Sequence, residues 1–256
     1  MINKIVTTLI LIIFLGSIIY GIENMKLKYT QVESIQAESN KTQESKIESI
    51  KVERVNDYNS SIVPKKMSVE EKKQRFRDLV IPSILKVYAQ LQKQYEETKE
   101  EVDAGKITPK IEKLMQSYSA KNPQDLLTRM KPHARSVAIA QAAMESAWAT
   151  SRFSRVANNF FGVWSFNKNE PREAAGEKRG SQTIYVKKYS SVEEATRDYY
   201  KILATGKVFE AFRIQKMKDN NPYELVKKLD KYSEKGAEYG KELTAMIKYN
   251  RFYEFD

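Results

Sequence analysis

The sequence predicts a mainly helical α+β fold with a small β-hairpin lobe, and three observations support this prediction. Apolar stripes at helical spacing follow helix-start signals in residues 68–130 and again in the last third of the chain. Residues 137–148 are almost entirely Val, Ile, Ala, Met and Trp, which is typical of a buried helix. Two short segments, 163–166 and 183–189, carry strand signals. The 256 residues are enough for one domain with accessory segments.

The first 22 residues predict a signal anchor, that is, an uncleaved transmembrane helix. Lys4 precedes an apolar run over residues 5–22, which is near the lower length limit for crossing a bilayer. No small-residue cleavage site follows, so an anchor is favoured over a cleaved signal peptide. With Lys4 before the run and Glu23 after it, the positive-inside rule places the N-terminus in the cytoplasm. We expect an inner-membrane anchor with the remaining chain on the outer, periplasmic or cell-wall side, or a secreted protein if cleavage occurs.

The next two regions are a tether and a folded domain. Residues 23–66 are rich in Ser, Glu, Lys and Gln and hold too little apolar surface to form a core. We expect the domain to occupy residues 67–256, with an N-terminal helical extension over 68–130. A capping box at Ser68 opens its first helix, and Pro82 interrupts that helix. These amphipathic helices pack on the main domain, which we favour, or offer a coiled-coil surface to a partner.

The helix predicted over residues 137–148 contains a carboxylate, Glu145, in an apolar setting. Removing a lone carboxylate from water is costly, so such a group tends to stay protonated. A protonated carboxyl group at neutral pH can act as a general acid. Gln141 and Trp148 lie about one turn away on the same flank and would form a wall for a polar ring-shaped ligand. The alternative is a structural glutamate that reaches the surface or pairs with an arginine.

A site-like turn and a candidate hairpin follow this helix. Residues 157–162 combine turn-forming Asn and Gly with two aromatic residues. We expect residues 163–166 and 183–189 to pair as a hairpin around a long loop over residues 167–182. That loop contains three glutamates, Glu170, Glu173 and Glu177. They are either solvated, which we favour, or one of them is a second carboxylate that faces Glu145.

Helices are predicted for the rest of the chain. Ser191 and Glu194 form a second capping box, and that helix ends before Gly206. Asn221 precedes a proline at the first position of another helix. A last helix follows Gly236.

The segment QAAMESAWATSRFSRVANNFFGVWSF resembles the signature of bacterial glucosaminidases that cleave peptidoglycan, glycoside hydrolase family 73, and within it the Bax-type proteins. The matched positions are Gln141, Ala142, Ala143, Glu145, Ser146, Trp148, Thr150, Ser151, Phe153, Asn158, Asn159, Phe161 and Gly162. Ala149 departs from the glycine that the family usually has there. A weaker similarity extends from about residue 68 to the C-terminus.

The resemblance implies a lysozyme-like fold and an endo-β-N-acetylglucosaminidase that cuts the β-1,4 bond after N-acetylglucosamine, with Glu145 as the general acid. The residues that would bind the glycan are Gln141, Ser146, Trp148, Asn159, Phe161, Gly162 and Trp164. The segment around Tyr199 resembles a family segment whose tyrosine approaches the cleft, so we predict Tyr199 as a second catalytic residue. A loop glutamate or the acetamido group of the substrate could serve instead. Two other functions stay open: a lytic transglycosylase, and a non-catalytic wall-binding or scaffold protein.

Composition excludes several classes of chemistry. With no cysteine and one histidine, His133, a zinc site or a Ser-His-Asp triad is not expected. We predict that His133 lies on the surface, and we predict no cofactor. The formal charge of +11 suits nucleic acid, but no groove-reading motif is present. We therefore expect peptidoglycan strands and, through residues 1–22, the membrane as partners, and no nucleic acid; the sequence identifies no protein partner.

Overall fold

The structure is a computed structural model that describes residues 67–179 and 182–256, without the side chains of residues 177–179 and 182. The predicted signal anchor over residues 1–22 and the predicted tether over 23–66 lie outside these described residues. Within the described part, no helix is both long and apolar enough to cross a membrane.

Ten α-helices and one two-stranded antiparallel sheet make up the described part, which confirms the predicted mainly helical α+β class. The helices are α1 Val69–Leu79, α2 Ile81–Asp103, α3 Pro109–Tyr118, α4 Pro123–Met130, α5 Arg135–Glu145, α6 Arg152–Ala157, α7 Val192–Thr205, α8 Glu210–Lys218, α9 Pro222–Val226 and α10 Ala237–Tyr249. The strands are β1 Arg172–Arg179 and β2 Gln182–Lys187. Two short 3-10 helices, Lys207–Phe209 and Phe252–Phe255, complete the set.

The helical extension begins where local signals predicted. The Ser68 hydroxyl accepts from the Glu71 amide, and the Glu71 carboxylate accepts from the Ser68 amide, which is the predicted capping box. Pro82 lies in the first turn of α2, where its missing N–H costs no helical hydrogen bond. Helices α2 and α4 pack on each other, and α2 also packs on α5 and α7. The first part of the extension therefore joins the main core, and its later helices form a second hydrophobic cluster with Ala204 of α7. The extension packs on the main domain, as favoured over a coiled-coil surface.

Helix α5 lies at the centre of the domain. Every residue from Ser136 to Ala143 is buried, and α5 packs against α2, α9, α10 and the last 3-10 helix. Because neighbours surround it, α5 needs no polar face, which explains its apolar composition. Its last residue is Glu145, so the carboxylate stands where the helix leaves the core.

Helix α5 ends at Glu145, three residues before the end of the helix predicted over residues 137–148. Ala147, Trp148 and Ala149 all have positive φ, at 48°, 61° and 60°. This left-handed region is unfavourable for residues with a Cβ atom. The buried Ser146 hydroxyl accepts from the Ala149 amide at 2.8 Å, and the buried Arg75 side chain donates to the Ala149 carbonyl at 3.1 Å. One local hydrogen bond and one tertiary hydrogen bond therefore hold Ala149 in this turn.

The β-lobe differs in part from the predicted hairpin. Strand β1 lies inside the predicted loop and pairs with β2, with Glu173 opposite Val186. Residues 163–166, the predicted first strand, contribute only an isolated bridge between Trp164 and Val186. The loop prediction for residues 172–179 was wrong because backbone pairing with β2 outweighs the low strand propensity of this polar sequence.

Two glycines in the C-terminal half allow close approach. A Cβ on Gly206 would lie 2.8 Å from the Phe209 ring, and one on Gly240 would lie 2.7 Å from the Val226 carbonyl oxygen. Gly240 thereby lets α10 pack directly on α9, and this packing positions the preceding residue, Tyr239, against the end of α5.

Candidate active site

The Glu145 side chain is partly buried at the C-terminal end of α5. Its Oε1 accepts a hydrogen bond from the Tyr239 hydroxyl of α10 at 2.7 Å. Burial raises the pKa of Glu145 above its ordinary value, while the Tyr239 hydrogen bond and nearby Lys235 act in the opposite direction. Desolvation has the larger effect, so Glu145 holds its proton at higher pH than an exposed glutamate does.

A chain of buried hydrogen bonds extends behind Glu145. The Gln141 amide nitrogen donates to the Tyr239 hydroxyl oxygen at 3.0 Å. The Tyr199 hydroxyl donates to the Gln141 amide oxygen at 2.6 Å. His133 Nε2 lies 2.9 Å from the Tyr199 hydroxyl oxygen. The order is therefore His133, Tyr199, Gln141, Tyr239 and Glu145, and each of the first four is almost fully buried.

The hydrogen-bond directions in this chain fix the state of His133. The Tyr199 hydroxyl donates its hydrogen to Gln141. His133 Nε2 must therefore carry a hydrogen and donate it to the Tyr199 oxygen. Burial lowers the pKa of His133 well below its ordinary value, so the ring is neutral with its proton on Nε2. The prediction of a surface histidine was wrong: His133 is 2% exposed, because it packs against the rings of Tyr200 and Phe212.

Gly162 lies against the other oxygen of the Glu145 carboxyl group. It has φ of 67°, and a Cβ atom added there would be 3.3 Å from Glu145 Oε2. A side chain at this position would be strained and would press on the carboxyl group. Since Oε1 accepts from Tyr239, the proton of the neutral acid belongs on Oε2, beside the glycine. The acid therefore has one oxygen fixed by the core and one that carries the transferable proton.

Aromatic residues support this arrangement from the β-lobe side. Phe161 is buried and stacks on Tyr199, with ring centroids 4.1 Å apart. The Tyr232 hydroxyl donates to the Phe161 carbonyl at 2.9 Å, and its ring stacks on Tyr239. These contacts join the turn before Gly162 to the C-terminal helices. They hold Gly162 and Tyr239 on either side of Glu145.

Two aromatic side chains near the site are open to solvent. Trp164 is 40% exposed and Phe166 is 85% exposed, with ring centroids 6.2 Å apart. They follow Gly162 by two and four residues, along the segment that lies beside β2. Exposed aromatic rings beside a polar site are suited to stacking on the apolar faces of sugars.

Several residues predicted to bind glycan lie within the core. Gln141 and Ser146 are fully buried, and Asn159 is 2% exposed. The Asn159 amide donates to the Val163 and Lys187 carbonyls and accepts from the Val163 amide, so it holds the turn against β2. Their burial argues against direct contact with a ligand.

Tyr199 and Trp148 also differ from the predicted placement. Tyr199 has 0% exposure, and its hydroxyl is separated from Glu145 by Gln141 and Tyr239. It can act on the acid only through these residues. Trp148 packs edge-on against Phe76 of α1, with ring centroids 5.4 Å apart. The left-handed turn directs Trp148 toward the helical extension, away from the flank that Gln141 shares with Glu145.

The loop glutamates have other partners. Glu170 accepts from the Ser165 hydroxyl at 2.7 Å and lies 3.6 Å from the Lys187 ammonium group. Glu173 forms an ion pair with Arg152. The side chain of Glu177 lies outside the described residues.

Tyr239 and Tyr232 are the site residues that the sequence analysis missed. Tyr239 is 94 positions from Glu145 in the chain and belongs to the apolar stripe of α10 with Leu243 and Ile247. Such a stripe is typical of core packing. Only the pairing of α10 with α5 shows that the Tyr239 hydroxyl meets an acid.

A partly buried carboxyl group with a raised pKa, placed beside a glycine turn and exposed aromatic rings, is suited to protonating a sugar–oxygen bond. Such a site suits a glycoside hydrolase. Sequence comparison gives the family: a profile described as Glucosaminidase, mannosyl-glycoprotein endo-beta-N-acetylglucosaminidase, matches residues 120–252, just over half of the chain. The chain therefore belongs to the glucosaminidase family.

The individual relatives share 19–30% sequence identity with this chain. Protein bax of Escherichia coli K12 is 30% identical over 132 residues, which cover 49% of this chain and 46% of Bax. The chain thus spans less than half of the length of Bax. The catalytic domain of the autolysin Auto from Listeria monocytogenes has a TM-score of 0.47 at 21% identity, covering 75% of this chain and 92% of that domain. A glycoside hydrolase domain of FlgJ from Salmonella typhimurium has a TM-score of 0.37 at 19% identity, covering 54% of this chain and 97% of that domain.

Proposed function

We propose that this chain is a peptidoglycan hydrolase, an endo-β-N-acetylglucosaminidase that cuts the β-1,4 bond after N-acetylglucosamine with Glu145 as the general acid. The observation that carries the proposal is the Glu145 carboxyl group, whose Oε1 is held by Tyr239 and whose Oε2 lies beside Gly162. Membership of the glucosaminidase family and the resemblance of the Glu145 segment to wall-cleaving enzymes support peptidoglycan as the substrate.

The reaction follows from the state of the acid. Glu145 Oε2 transfers its proton to the oxygen of the glycosidic bond, and that bond breaks to leave positive charge on the sugar carbon. Water adds to this carbon and loses a proton, which restores the acid, so the net reaction is hydrolysis. General-acid catalysis of this kind contributes about 10²–10⁴-fold to the rate. Tyr239 orients the carboxyl group, and Gln141 and Tyr199 hold Tyr239; these three are positioning residues.

Binding of the glycan falls to the exposed part of the site. Trp164 and Phe166 offer solvent-accessible rings for the apolar faces of sugars. Gly162 leaves room for the glycan to approach Glu145 Oε2, because a larger residue would fill that space.

The products of peptidoglycan digestion test this proposal. The purified full chain is incubated with insoluble peptidoglycan, and the soluble fragments are identified by mass spectrometry after borohydride reduction. The proposal predicts reducing N-acetylglucosamine ends. Anhydromuramic ends would show a lytic transglycosylase instead, and the absence of fragments would leave wall binding without cleavage. Either result contradicts the proposed activity.

We also propose that residues 1–22 anchor the enzyme in the inner membrane, with the catalytic domain on the outer side and the polar residues 23–66 as its tether. The apolar run in the sequence is the support for this placement. Carbonate extraction of membranes from cells that express the full chain tests it. An anchored chain stays with the membrane pellet, whereas release into the supernatant contradicts the anchor.

A further inference from the structure

A cavity of about 630 Å³ lies away from Glu145. Its walls come from α2, α3, α4, α7, α8 and the base of the β-lobe, and neither Glu145 nor Tyr239 lines it. On α7, Lys201 faces the cavity, whereas Tyr199 faces the acid. Residues two apart on a helix point in nearly opposite directions. The cavity is thus on the opposite side of α7 from the Glu145 site, and His133 touches both.

The cavity carries an excess of positive charge. Seven cationic and three acidic side chains line it. Two of the acids, Glu170 and Asp198, both pair with Lys187, and Asp198 also accepts from the Tyr189 hydroxyl at 2.7 Å. The third acid, Glu194, accepts hydrogen bonds from Ser190. The three acids therefore already have partners. They do not neutralise the other cationic side chains that line the cavity.

Lys216 of α8 is the most deeply buried of these cations, at 3% exposure. Its ammonium group donates to the Lys131 carbonyl and lies 3.5 Å from the Arg129 carbonyl oxygen. In the described part of the chain, no carboxylate lies within 4.0 Å of it. These carbonyls at the end of α4 offset part of the charge, and one of the three N–H donors is left over. Burial lowers the pKa of Lys216 to about 7, and the positive charges of Arg213 and Lys131 act in the same direction.

Lys201 of α7 lines the same cavity and is partly exposed. Its ammonium group donates to the Ser117 hydroxyl at 2.8 Å and lies 3.3 Å from the centroid of the Tyr118 ring. Both partners are neutral, and no ion pair of Lys201 occurs among the described residues. Two lysines from two helices therefore face one cavity with neutral partners only. Lys216 is the buried one of the two, and a buried charge is normally paired.

We propose that this cavity binds the oxyanion group of a ligand, a phosphate or a carboxylate, between Lys216 and Lys201. Apolar walls from Leu91, Leu114 and Phe212 would contact an organic portion of the same ligand. The anion supplies the counter-charge that the protein lacks, and it accepts hydrogen bonds from both ammonium groups. This binding site is separate from the proposed glycan cleavage and does not depend on it.

Calorimetric titration of the full chain with sodium sulfate at constant ionic strength tests the proposal. Sulfate is a permanent dianion, so its own titration does not complicate the result. One site is expected, and Lys216→Met is expected to weaken sulfate binding at least tenfold. Lys218→Met is the matched control, because Lys218 is on the same helix but exposed; its affinity should stay within twofold of wild type. If Lys216→Met does not fold, Lys201→Met replaces it, with the same expected weakening.

Acetate and inorganic phosphate, titrated in parallel, identify the ligand class. Phosphate binding at least tenfold tighter than acetate indicates a phosphate ligand, and comparable affinities indicate a carboxylate. Equal sulfate affinity in wild type and in the folded lysine variant, or no sulfate binding to wild type, overturns the proposal. Peptidoglycan cleavage by the same samples is scored separately, so a failure of the proposed enzyme activity leaves the anion result intact.

Discussion

The two sides of helix α7 bury polar groups in opposite ways. On one side, His133, Tyr199, Gln141 and Tyr239 are neutral, and each donates to the next until the chain reaches Glu145. On the other side, Lys216 is buried with backbone carbonyls only. A chain of neutral groups with matched donors and acceptors can be buried at little cost, whereas an unpaired charge cannot. The first side is satisfied by the protein's own groups, whereas Lys216 on the second side has no carboxylate partner among the described residues.

The largest effect that would test this contrast is on catalysis. Glu145→Gln keeps the shape of the side chain and its acceptor for Tyr239, but removes the transferable proton. Peptidoglycan turnover should fall by about 10²–10⁴-fold, measured as reducing ends released per minute. Glu238→Gln is the control, because Glu238 is an exposed glutamate beside Tyr239 and its loss should leave turnover within twofold. Turnover by Glu145→Gln within tenfold of wild type would rule out Glu145 as the acid.

The next largest effect is on stability and concerns Lys216. Its pKa is about 7 in the folded protein against an ordinary 10.5, so the unfolded chain binds more protons between these pH values. The free energy of unfolding of wild type should therefore rise, relative to Lys216→Met, by a few kcal/mol from pH 7 to pH 10. Urea denaturation at several pH values measures this difference. Parallel pH curves for wild type and Lys216→Met would show that the pKa of Lys216 is not lowered in the folded protein.

A smaller effect on catalysis concerns the hydrogen-bond chain. Tyr239→Phe removes the donor that orients Glu145 and favours its ionised form. Turnover should fall about tenfold, or about 1.4 kcal/mol in barrier height. The alkaline limb of the pH–rate profile should also move to higher pH, because the pKa of Glu145 rises further without this hydrogen bond. Tyr199→Phe, two hydrogen bonds further away, should lower turnover less and shift the alkaline limb less. A loss of rate without a shift of the alkaline limb would indicate general disruption.

The smallest effect concerns the left-handed turn after α5. Ala147 is exposed with φ of 48°, so Ala147→Gly should stabilise the domain by about 1 kcal/mol. Ala89→Gly, an exposed position inside α2, is the matched control and should destabilise by about 1 kcal/mol. Thermal unfolding of the two variants should give shifts of opposite sign. Destabilisation by both would mean that Ala147 is not in the left-handed region.

Local sequence signals predicted much of this fold. The Ser68 capping box, the Asn221 start of α9 and the apolar composition of α5 each depend on a few neighbouring residues, so they can be found without the structure. At Ser191 the local signal was only half right: its hydroxyl caps α7, but the Glu194 carboxylate bonds Ser190. Strand β1 could not be predicted, because its pairing with β2 comes from the partner strand rather than from its own composition.

The sequence predicted only those parts of the candidate site that depend on residues close together in the chain. Glu145 stood out because a carboxylate in an apolar helix is unusual. Its partner Tyr239 is 94 residues away, and His133 and Tyr199 are 66 residues apart. Their contacts depend on how the helices pack, which no spacing in the sequence reveals. Gln141 was correctly placed near the acid by helical periodicity, but periodicity could not show that it points inward.

The protonation of Glu145 itself is the most direct test of this account. With glutamate labelled by ¹³C at the δ carbon, the resonance that is present in wild type and missing from Glu145→Gln belongs to Glu145, and its shift is followed against pH. The structure predicts a midpoint above the ordinary value of 4.5, and a further rise in Tyr239→Phe. A midpoint at or below 4.5, or one that Tyr239→Phe leaves unchanged, would contradict the role of Glu145 as a buried acid held by Tyr239.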